Sequence, residues 1–252
     1  MWKRMVVLGL IGLLCFPAVA GADTATVAVA SNFLGPLKHI AGQFEARTGH
    51  TARIVSGSTG KLYAQILNGA PFHVFLAADS KRPRLLEDQK LAVNGSRFTY
   101  ARGRLALWSA DPAWIRGDGV PVLKDGAFRH LALANPKTAP YGQAAQSTLQ
   151  KLGLWETLQG RIVRGENVGQ AFQFAASGNA EVGFVALSQV LALPPARQGS
   201  HWEVPGSYHD PIEQDAVLLQ KGNGNAAAKA LLEFLKTPEV REQIRSSGYE
   251  TD

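Results

Sequence analysis

The stretch TATVAVASNFLGPLKHIAGQF, residues 24–44, decides the fold class of this chain. Its first seven residues are threonine, valine and alanine, a composition typical of a β-strand. Ser31 and Asn32 follow, and both residue types favour a helix start. Apolar residues then recur at the spacing of one helix face, at Leu34, Leu37, Ile40, Ala41 and Phe44. The stretch therefore predicts a strand, a tight turn and a helix.

The same order of strand, turn and helix recurs along the rest of the chain. Further strands are predicted at residues 52–55, 74–78, 105–109, 131–134, 162–163 and 182–185, with extended segments at 201–208 and 216–219. Helices are predicted after Gly60 and at residues 81–89, 143–152, 170–177, 226–235 and 238–246. Such alternation predicts an α/β fold, with mostly parallel sheets flanked by helices.

The number of elements favours two lobes of about 100 residues each. We predict that residues 23–102 and 210–252 form lobe 1 and that residues 103–209 form lobe 2. The chain then crosses twice between the lobes, which gives a two-segment hinge and a cleft. In open α/β sheets, ligands bind beyond the carboxyl ends of the strands, which here face that cleft. A single domain is the alternative.

The first residues predict a secretory signal peptide over residues 1–22. Lys3 and Arg4 precede an apolar run at residues 5–16, and small residues at 18–20 follow Pro17. The alternative, a membrane anchor, needs about 20 apolar residues, more than this run contains. The predicted location is therefore the periplasm.

Cysteine content and charge narrow the function classes. The one cysteine, Cys15, lies in the predicted signal peptide, so the mature chain would have neither a disulfide nor a cysteine-bound metal. The formal charge of +6 falls to +4 when Lys3 and Arg4 are removed. Since the basic residues are scattered along the chain, we expect a solvated surface and no nucleic-acid partner. We also expect a monomer.

Four turns that precede predicted helices could bind an anion: Ser31-Asn32, Ser58-Thr59-Gly60, Pro140-Tyr141-Gly142 and Asn167-Val168-Gly169. A helix start leaves backbone N–H groups unpaired and carries a partial positive charge. These turns need neither lysine nor arginine at the ligand. Because neutral amides and hydroxyls cannot serve as acid, base or nucleophile, the turns indicate binding and not catalysis.

Enzyme motifs fit the sequence poorly. The segment GSTGKL, residues 57–62, is similar to a phosphate-binding P-loop, but Val55 and Leu62 replace the required glycine and Ser/Thr. A Gly-x-Ser-x-Gly elbow is missing from the sequence, and the six histidines show no metal-ligand spacing. We therefore expect no enzyme and no protein ligands to a metal. A secreted hydrolase with a serine and a histidine remains an alternative.

Nine short motifs together resemble the periplasmic molybdate-binding proteins of molybdate ABC transporters. They are VAVASNF (27–33), GSTG (57–60), QILNGAP (65–71), LAAD (76–79), ANP (134–136), APYG (139–142), LGLW (152–155), ENV (166–168) and GFVA (183–186). The resemblance implies a two-lobed periplasmic binding protein fold, type II-like. It also implies that the cleft encloses molybdate or tungstate, without a cofactor, for delivery to a membrane permease.

The resemblance also carries over a set of ligand-binding residues. It implies hydroxyl donors at Ser31 and Thr59, and backbone amide donors at Ser31, Asn32, Tyr141 and Val168. Many members have a tyrosine where this chain has Ala186, so one donor is missing or is replaced, for which Asn32 is a candidate. The common Ala-Pro-x-Asp pattern reads APFH at residues 70–73, which removes a carboxylate. Another oxyanion, such as sulfate or phosphate, remains an alternative ligand.

Overall fold

The computed structural model describes residues 22–251 of the chain. The predicted signal peptide, residues 1–22, therefore lies outside the described residues except for Ala22. Along residues 22–251, every helix is too short or too polar to cross a membrane.

Ten β-strands and ten α-helices follow one another along these residues. The strands are β1 (Thr24–Ala30), β2 (Thr51–Gly57), β3 (Val74–Leu76), β4 (Phe98–Gly103), β5 (Leu105–Ser109), β6 (Leu131–Ala134), β7 (Ile162–Gly165), β8 (Val182–Ala186), β9 (Ser200–Glu203) and β10 (Ile212–Leu218). The helices are α1 (Leu34–Thr48), α2 (Thr59–Leu67), α3 (Lys81–Asp88), α4 (Val120–Asp125), α5 (Pro140–Lys151), α6 (Trp155–Leu158), α7 (Val168–Ala176), α8 (Leu187–Leu191), α9 (Ala226–Leu235) and α10 (Pro238–Ser246).

The strands form two five-stranded sheets with matching topologies. Their strand orders are β2-β1-β3-β10-β4 and β7-β6-β8-β5-β9. In each sheet the first three strands pair in parallel, and the fourth pairs antiparallel with both of its neighbours. Four strands of each sheet consequently run in one direction, and only β10 or β5 runs in the other. The α/β fold class with mostly parallel sheets is thereby confirmed.

The chain crosses between the sheets twice. Only Arg104 separates β4 in the first sheet from β5 in the second, and residues 204–211 lead back from β9 to β10. The lobe boundaries after residues 102 and 209 stay predictions; the first falls one residue before the end of β4, and the second falls between β9 and β10. Each crossing delivers a strand that runs against its neighbours, which explains the mixed character of both sheets.

Helices cover both faces of each sheet, because the strands are apolar on both sides. In β1, Val27 and Val29 pack in a core with α1, α9 and α10, whereas Ala28 faces the opposite core beneath α2 and α3. This division follows from the two-residue period of a strand. The second sheet packs against α5 on one face and against α7 and α8 on the other.

Near the two crossings, three elements of the structure differ from the prediction. The segment 201–208 is extended only as far as Glu203, because a 3-10 turn occupies Gly206–Tyr208. Strand β10 begins at Ile212 and not at residue 216, and β4 is a strand that is not predicted from the sequence. Strand β10 contains two polar residues that the fold buries, Gln214 and Asp215. Asp215 is fully buried, where it accepts hydrogen bonds from Thr99 and Arg97.

Candidate anion-binding site

A small cavity lies where the two lobes meet, and four helix starts line it. The residues of the four turns that line it are Ser31, Asn32, Ser58, Thr59, Pro140, Tyr141, Asn167 and Val168. Ala30, Gly57, Ala78 and Ala139 complete the lining. All five predicted ligand-binding residues, and all four predicted turns, therefore meet at one place. The cavity volume is about 10 Å³, close to the least that holds one water molecule, so the lobes are closed on each other.

The start of α2 leaves one amide unused beside this cavity. Ser58 is the N-cap residue, and its Oγ accepts a hydrogen bond from the Lys61 N–H at 3.4 Å. The Gly60 N–H instead donates to the carbonyl oxygen of Thr138 in lobe 2, at 2.8 Å. Because the amides of Gly60 and Lys61 are occupied, Thr59 contributes the first-turn N–H that remains for a ligand.

The start of α7 repeats this arrangement from lobe 2. Asn167 is the N-cap residue, and its Oδ1 accepts from the Gln170 N–H at 3.0 Å. The Gly169 N–H donates across the cleft to the Ser31 Oγ at 3.2 Å. The remaining first-turn amide is that of Val168. The two lobes therefore present matching helix starts, each with one amide for a ligand and one for the opposite lobe.

The start of α5 supplies further amides by a different route. Pro140 occupies the first helical position and has no N–H, so it leaves none unpaired. The first helical hydrogen bond runs from the Gln143 N–H to the Ala139 carbonyl oxygen. Tyr141 and Gly142 precede that bond, and their N–H groups lie at the positive end of the helix dipole.

Two hydroxyl groups in the cavity wall each have a hydrogen left to donate. The Ser31 Oγ accepts from Gly169, and the Thr59 Oγ1 accepts from the Ala78 N–H at 3.1 Å. A hydroxyl that accepts through its oxygen still has its own hydrogen to donate. Ser31 differs from the prediction in one respect, because it opens a 3-10 turn over Ser31–Phe33 and its side chain does not cap α1.

Cations are kept out of the cavity wall. Among residues 22–251, the side chains that line the cavity include neither lysine nor arginine. Lys61, near the cavity, forms an ion pair with Glu166 across the cleft at 2.6 Å, and Arg82 pairs with Asp79. The same part of the chain contains no group of three His, Cys, Asp or Glu side chains that could hold a metal. The site therefore offers hydrogen-bond donors without a formal charge.

A buried polar cluster lies behind the cavity, and we refer to it as the hinge cluster. It consists of Asn32, Tyr100, Tyr141, Ser188, Gln214 and Tyr249. The Asn32 Nδ2 donates to Gln214 at 2.7 Å and to Tyr249 at 3.2 Å. Both side-chain hydrogens of Asn32 are thus used within the cluster. Its side chain does not take the place of the tyrosine that Ala186 replaces, and only its backbone amide remains for an anion.

The tyrosines of the hinge cluster are held in their neutral form. Burial is the main cause that raises the pKa of Tyr249 to about 12, and it also raises the pKa values of Tyr100 and Tyr141 well above their ordinary value. Tyr249 donates to the Asn32 carbonyl oxygen at 2.8 Å and accepts from the Ser188 Oγ at 2.9 Å. Since Ser188 belongs to lobe 2, this contact joins the C-terminal segment to the opposite lobe.

Sequence reasoning missed most of this cluster. Gln214, Tyr249 and Ser188 belong to no motif, and as many as 217 residues separate members that touch. One signal was present in the sequence. A glutamine followed by an aspartate interrupts the apolar residues of β10, and buried polar side chains of this kind need partners.

Two lobes that enclose a small ligand cavity at a two-stranded hinge define a solute-binding protein. The family model for bacterial extracellular solute-binding proteins matches residues 25–250, and this chain belongs to that family. It is 53% identical to the molybdate-binding protein ModA of Azotobacter vinelandii, over 98% of this chain and 97% of that protein. It is 51% identical to ModA of Rhodobacter capsulatus, over 97% and 94% of the two chains. The resemblance found in the sequence motifs is thereby confirmed.

Solved structures agree with this assignment. The periplasmic molybdate-binding protein of A. vinelandii matches with a TM-score of 0.87 and 45% identity, covering 90% of this chain and 99% of that one. The sulfate-binding protein SubI of Mycobacterium tuberculosis matches with a TM-score of 0.73 at 12% identity, over 90% and 86% of the chains. At that identity, the second match shows the fold alone.

Proposed function

We propose that this protein is a periplasmic binding protein that captures molybdate or tungstate in its cleft and delivers it to an ABC transporter. The observation that carries the proposal is the meeting of four helix starts, two from each lobe, at one cavity without a cation. The relatives that are about half identical to this chain are named as molybdate-binding proteins, which supports the same ligand.

The donor set suits a fully deprotonated oxyanion. Molybdate and tungstate oxygens only accept hydrogen bonds. The groups proposed to bind them can all donate one: the hydroxyls of Ser31 and Thr59 and the backbone amides of Asn32, Thr59, Tyr141 and Val168. A hydrogen bond to a charged group contributes about 1.5–3 kcal/mol. Each helix start adds roughly 0.3–2 kcal/mol through its dipole. Together these groups would replace the water shell of the anion.

Binding and lobe closure would stabilise each other. The Ser31 hydroxyl belongs to the proposed anion site and also bridges the lobes through Gly169. A tetrahedral oxyanion is larger than one water molecule, so it enters only when the lobes move apart. A ligand held by both lobes then favours the closed form, in proportion to its preference for that form. The closed surface would be the form that the permease recognises.

A thermal-unfolding panel with molybdate, tungstate, sulfate and phosphate at equal ionic strength tests the ligand class. A ligand at 100 times its Kd adds about 2.7 kcal/mol of stability, which raises the Tm of a chain of this size by roughly 5–10 °C. We expect this shift with molybdate and tungstate and a much smaller one with sulfate and phosphate. An equal or larger shift with sulfate would assign the site to another oxyanion. No shift with any of the four would refute the proposed site.

Export is tested separately from binding. We infer that residues 1–22 are removed on secretion and that the mature protein is a periplasmic monomer. Mass spectrometry of the periplasmic fraction should find a chain that begins near residue 21 or 23, and light scattering should give the mass of one chain. An intact N terminus in the membrane fraction would instead indicate an anchored protein.

A further inference from the structure

Gln214 occupies an unusual position in the fold. It lies on β10, the strand that follows the second crossing, and it is fully buried. The register of β10 against β4 shifts between Gln214 and Asp215. Such a bulge in a strand redirects a side chain. Here it accompanies a polar side chain that points into the hinge cluster.

The amide group of Gln214 contacts both lobes. Its Oε1 accepts from the Asn32 Nδ2 at 2.7 Å and from the Tyr100 hydroxyl at 3.1 Å, both in lobe 1. Its Nε2 donates to the Tyr141 hydroxyl of lobe 2 at 3.5 Å. Asn32 and Tyr141 line the anion cavity from opposite lobes. One side chain therefore connects the two halves of the site.

The chain at the first crossing also lies close to the Tyr141 hydroxyl. A Cβ atom added to Gly103 would overlap the Tyr141 hydroxyl and would lie 2.7 Å from the Gln214 Nε2. Gly103 is the last residue of β4, directly before the chain enters lobe 2. Both hinge segments consequently approach the Tyr141 hydroxyl. The ring of Tyr141 spans the distance from the hinge to the start of α5.

We propose that Gln214 is a positioning residue that couples hinge closure to anion binding. The inference rests on the proposed function, since it assigns Gln214 to the same site. Gln214 does not line the cavity. It holds the segment of Asn32 in lobe 1 and, through the Tyr141 hydroxyl, the start of α5 in lobe 2. When the lobes open, Tyr141 leaves Gln214, and its backbone amide leaves the anion with it.

The chain contains a matched control for the hydrogen bond between Gln214 and Tyr141. On the surface of lobe 1, the Gln89 Nε2 donates to the Tyr63 hydroxyl at 3.1 Å. This pair is exposed and lies outside the hinge cluster and the cavity wall. Gln89→Met and Tyr63→Phe therefore remove the same chemical groups as Gln214→Met and Tyr141→Phe, without touching the hinge.

The test measures molybdate affinity by titration calorimetry in the wild type, Q214M, Y141F, the double variant and both controls. Small-angle scattering with and without molybdate measures lobe closure, and the Tm without ligand measures stability. We expect each hinge variant to bind about tenfold more weakly, within the range of coupled sites, and to need correspondingly more molybdate to become compact. The double variant should lose no more molybdate affinity than the single variant that binds more weakly, because both substitutions break the same hydrogen bond.

Three outcomes would overturn the inference. The first is wild-type affinity in Y141F, a variant that keeps the backbone amide of residue 141. The second is a Q214M variant with a lower Tm but unchanged affinity and compaction, which would give Gln214 a structural role only. The third is full additivity in the double variant. If the wild type itself binds none of the four oxyanions, the proposed function fails first, and this result is distinct from the other three.

Discussion

The substitution Gly60→Ala should hinder lobe closure without lowering the stability of the fold. Gly60 is the second residue of α2 and faces lobe 2. A Cβ atom at this position would lie 2.9 Å from the Thr138 carbonyl oxygen and 3.0 Å from the Thr138 Cα. The third neighbour, Arg82, is the flexible end of a side chain in the same lobe, at 3.1 Å, and can move away. The substitution therefore obstructs only the contact that forms when the lobes meet.

The geometry sets the size of the effect. Restoring ordinary contact distances moves the lobes apart by about 0.5 Å, which weakens the 2.8 Å hydrogen bond from Gly60 to Thr138. Overpacking costs about 1–3 kcal/mol, and the weakened hydrogen bond costs up to about 1 kcal/mol. These costs sum to about 1–4 kcal/mol, so we expect molybdate to bind roughly 5- to 900-fold more weakly. By contrast, alanine in a helix is about 0.5–1 kcal/mol more stable than glycine, so the ligand-free protein should be slightly stabilised.

Titration calorimetry with molybdate measures the loss of affinity. Urea unfolding of the ligand-free protein measures the change in stability. Gly42→Ala is the control, because it makes the same change on α1, where a Cβ would meet nothing within 4 Å. The control should gain the same stability and keep full affinity. Wild-type affinity in Gly60→Ala would show that the contact with Thr138 plays no part in binding, and the coupling of closure to capture would then be wrong.

Three further predictions concern donors, pH and surface charge. Ser31→Ala and Thr59→Ala should each weaken molybdate binding by about 1–3 kcal/mol, because a hydrogen bond to a charged group is lost; calorimetry that finds both unchanged would place the site elsewhere. Since the pKa of Tyr249 is raised to about 12 from an ordinary value of 10, its contribution to stability is complete below about pH 10 and is lost as the pH rises toward 12. Urea unfolding at about pH 9 and about pH 11 should show this fall, and Tyr249→Phe should make it smaller; an equal fall in the variant contradicts the assignment. Lys61→Gln and Glu166→Gln remove a half-exposed ion pair, so each should change affinity by no more than about 1 kcal/mol, and less at high salt; a larger, salt-independent loss would mean that the pair is part of the site.

The helix starts of the site could be predicted because their chemistry is local. Ser58 and Asn167 cap α2 and α7 with their own side chains, as their residue types favour. Pro140 opens α5 at the position where proline is best tolerated. The convergence of these turns was open to prediction only through the α/β topology, which places the ends of parallel strands at one edge.

The hinge cluster could not be predicted, because its contacts are non-local. Asn32 and Tyr249 lie 217 positions apart, and nothing near either residue specifies the other. The same reason explains the errors at β4 and β10. Asp215 looks like a surface residue in the sequence, and only the pairing of β10 with β4 shows that Arg97 and Thr99 satisfy its buried carboxylate. The cavity size also depends on how closely the lobes meet, which no local pattern encodes.

The place of β10 in the first sheet has a consequence for the order in which the protein can fold. This strand lies between β3 and β4 and is the sheet neighbour through which β4 joins the others. Before β10 joins the sheet, β1, β2 and β3 can pair with one another, but β4 has no partner strand and one edge of β3 is exposed. Exposed strand edges of that kind invite pairing with other chains. The first sheet is therefore completed only when a strand from near the carboxyl end of the chain joins it. A chaperone that covers the exposed strand edges would have its largest effect before that step.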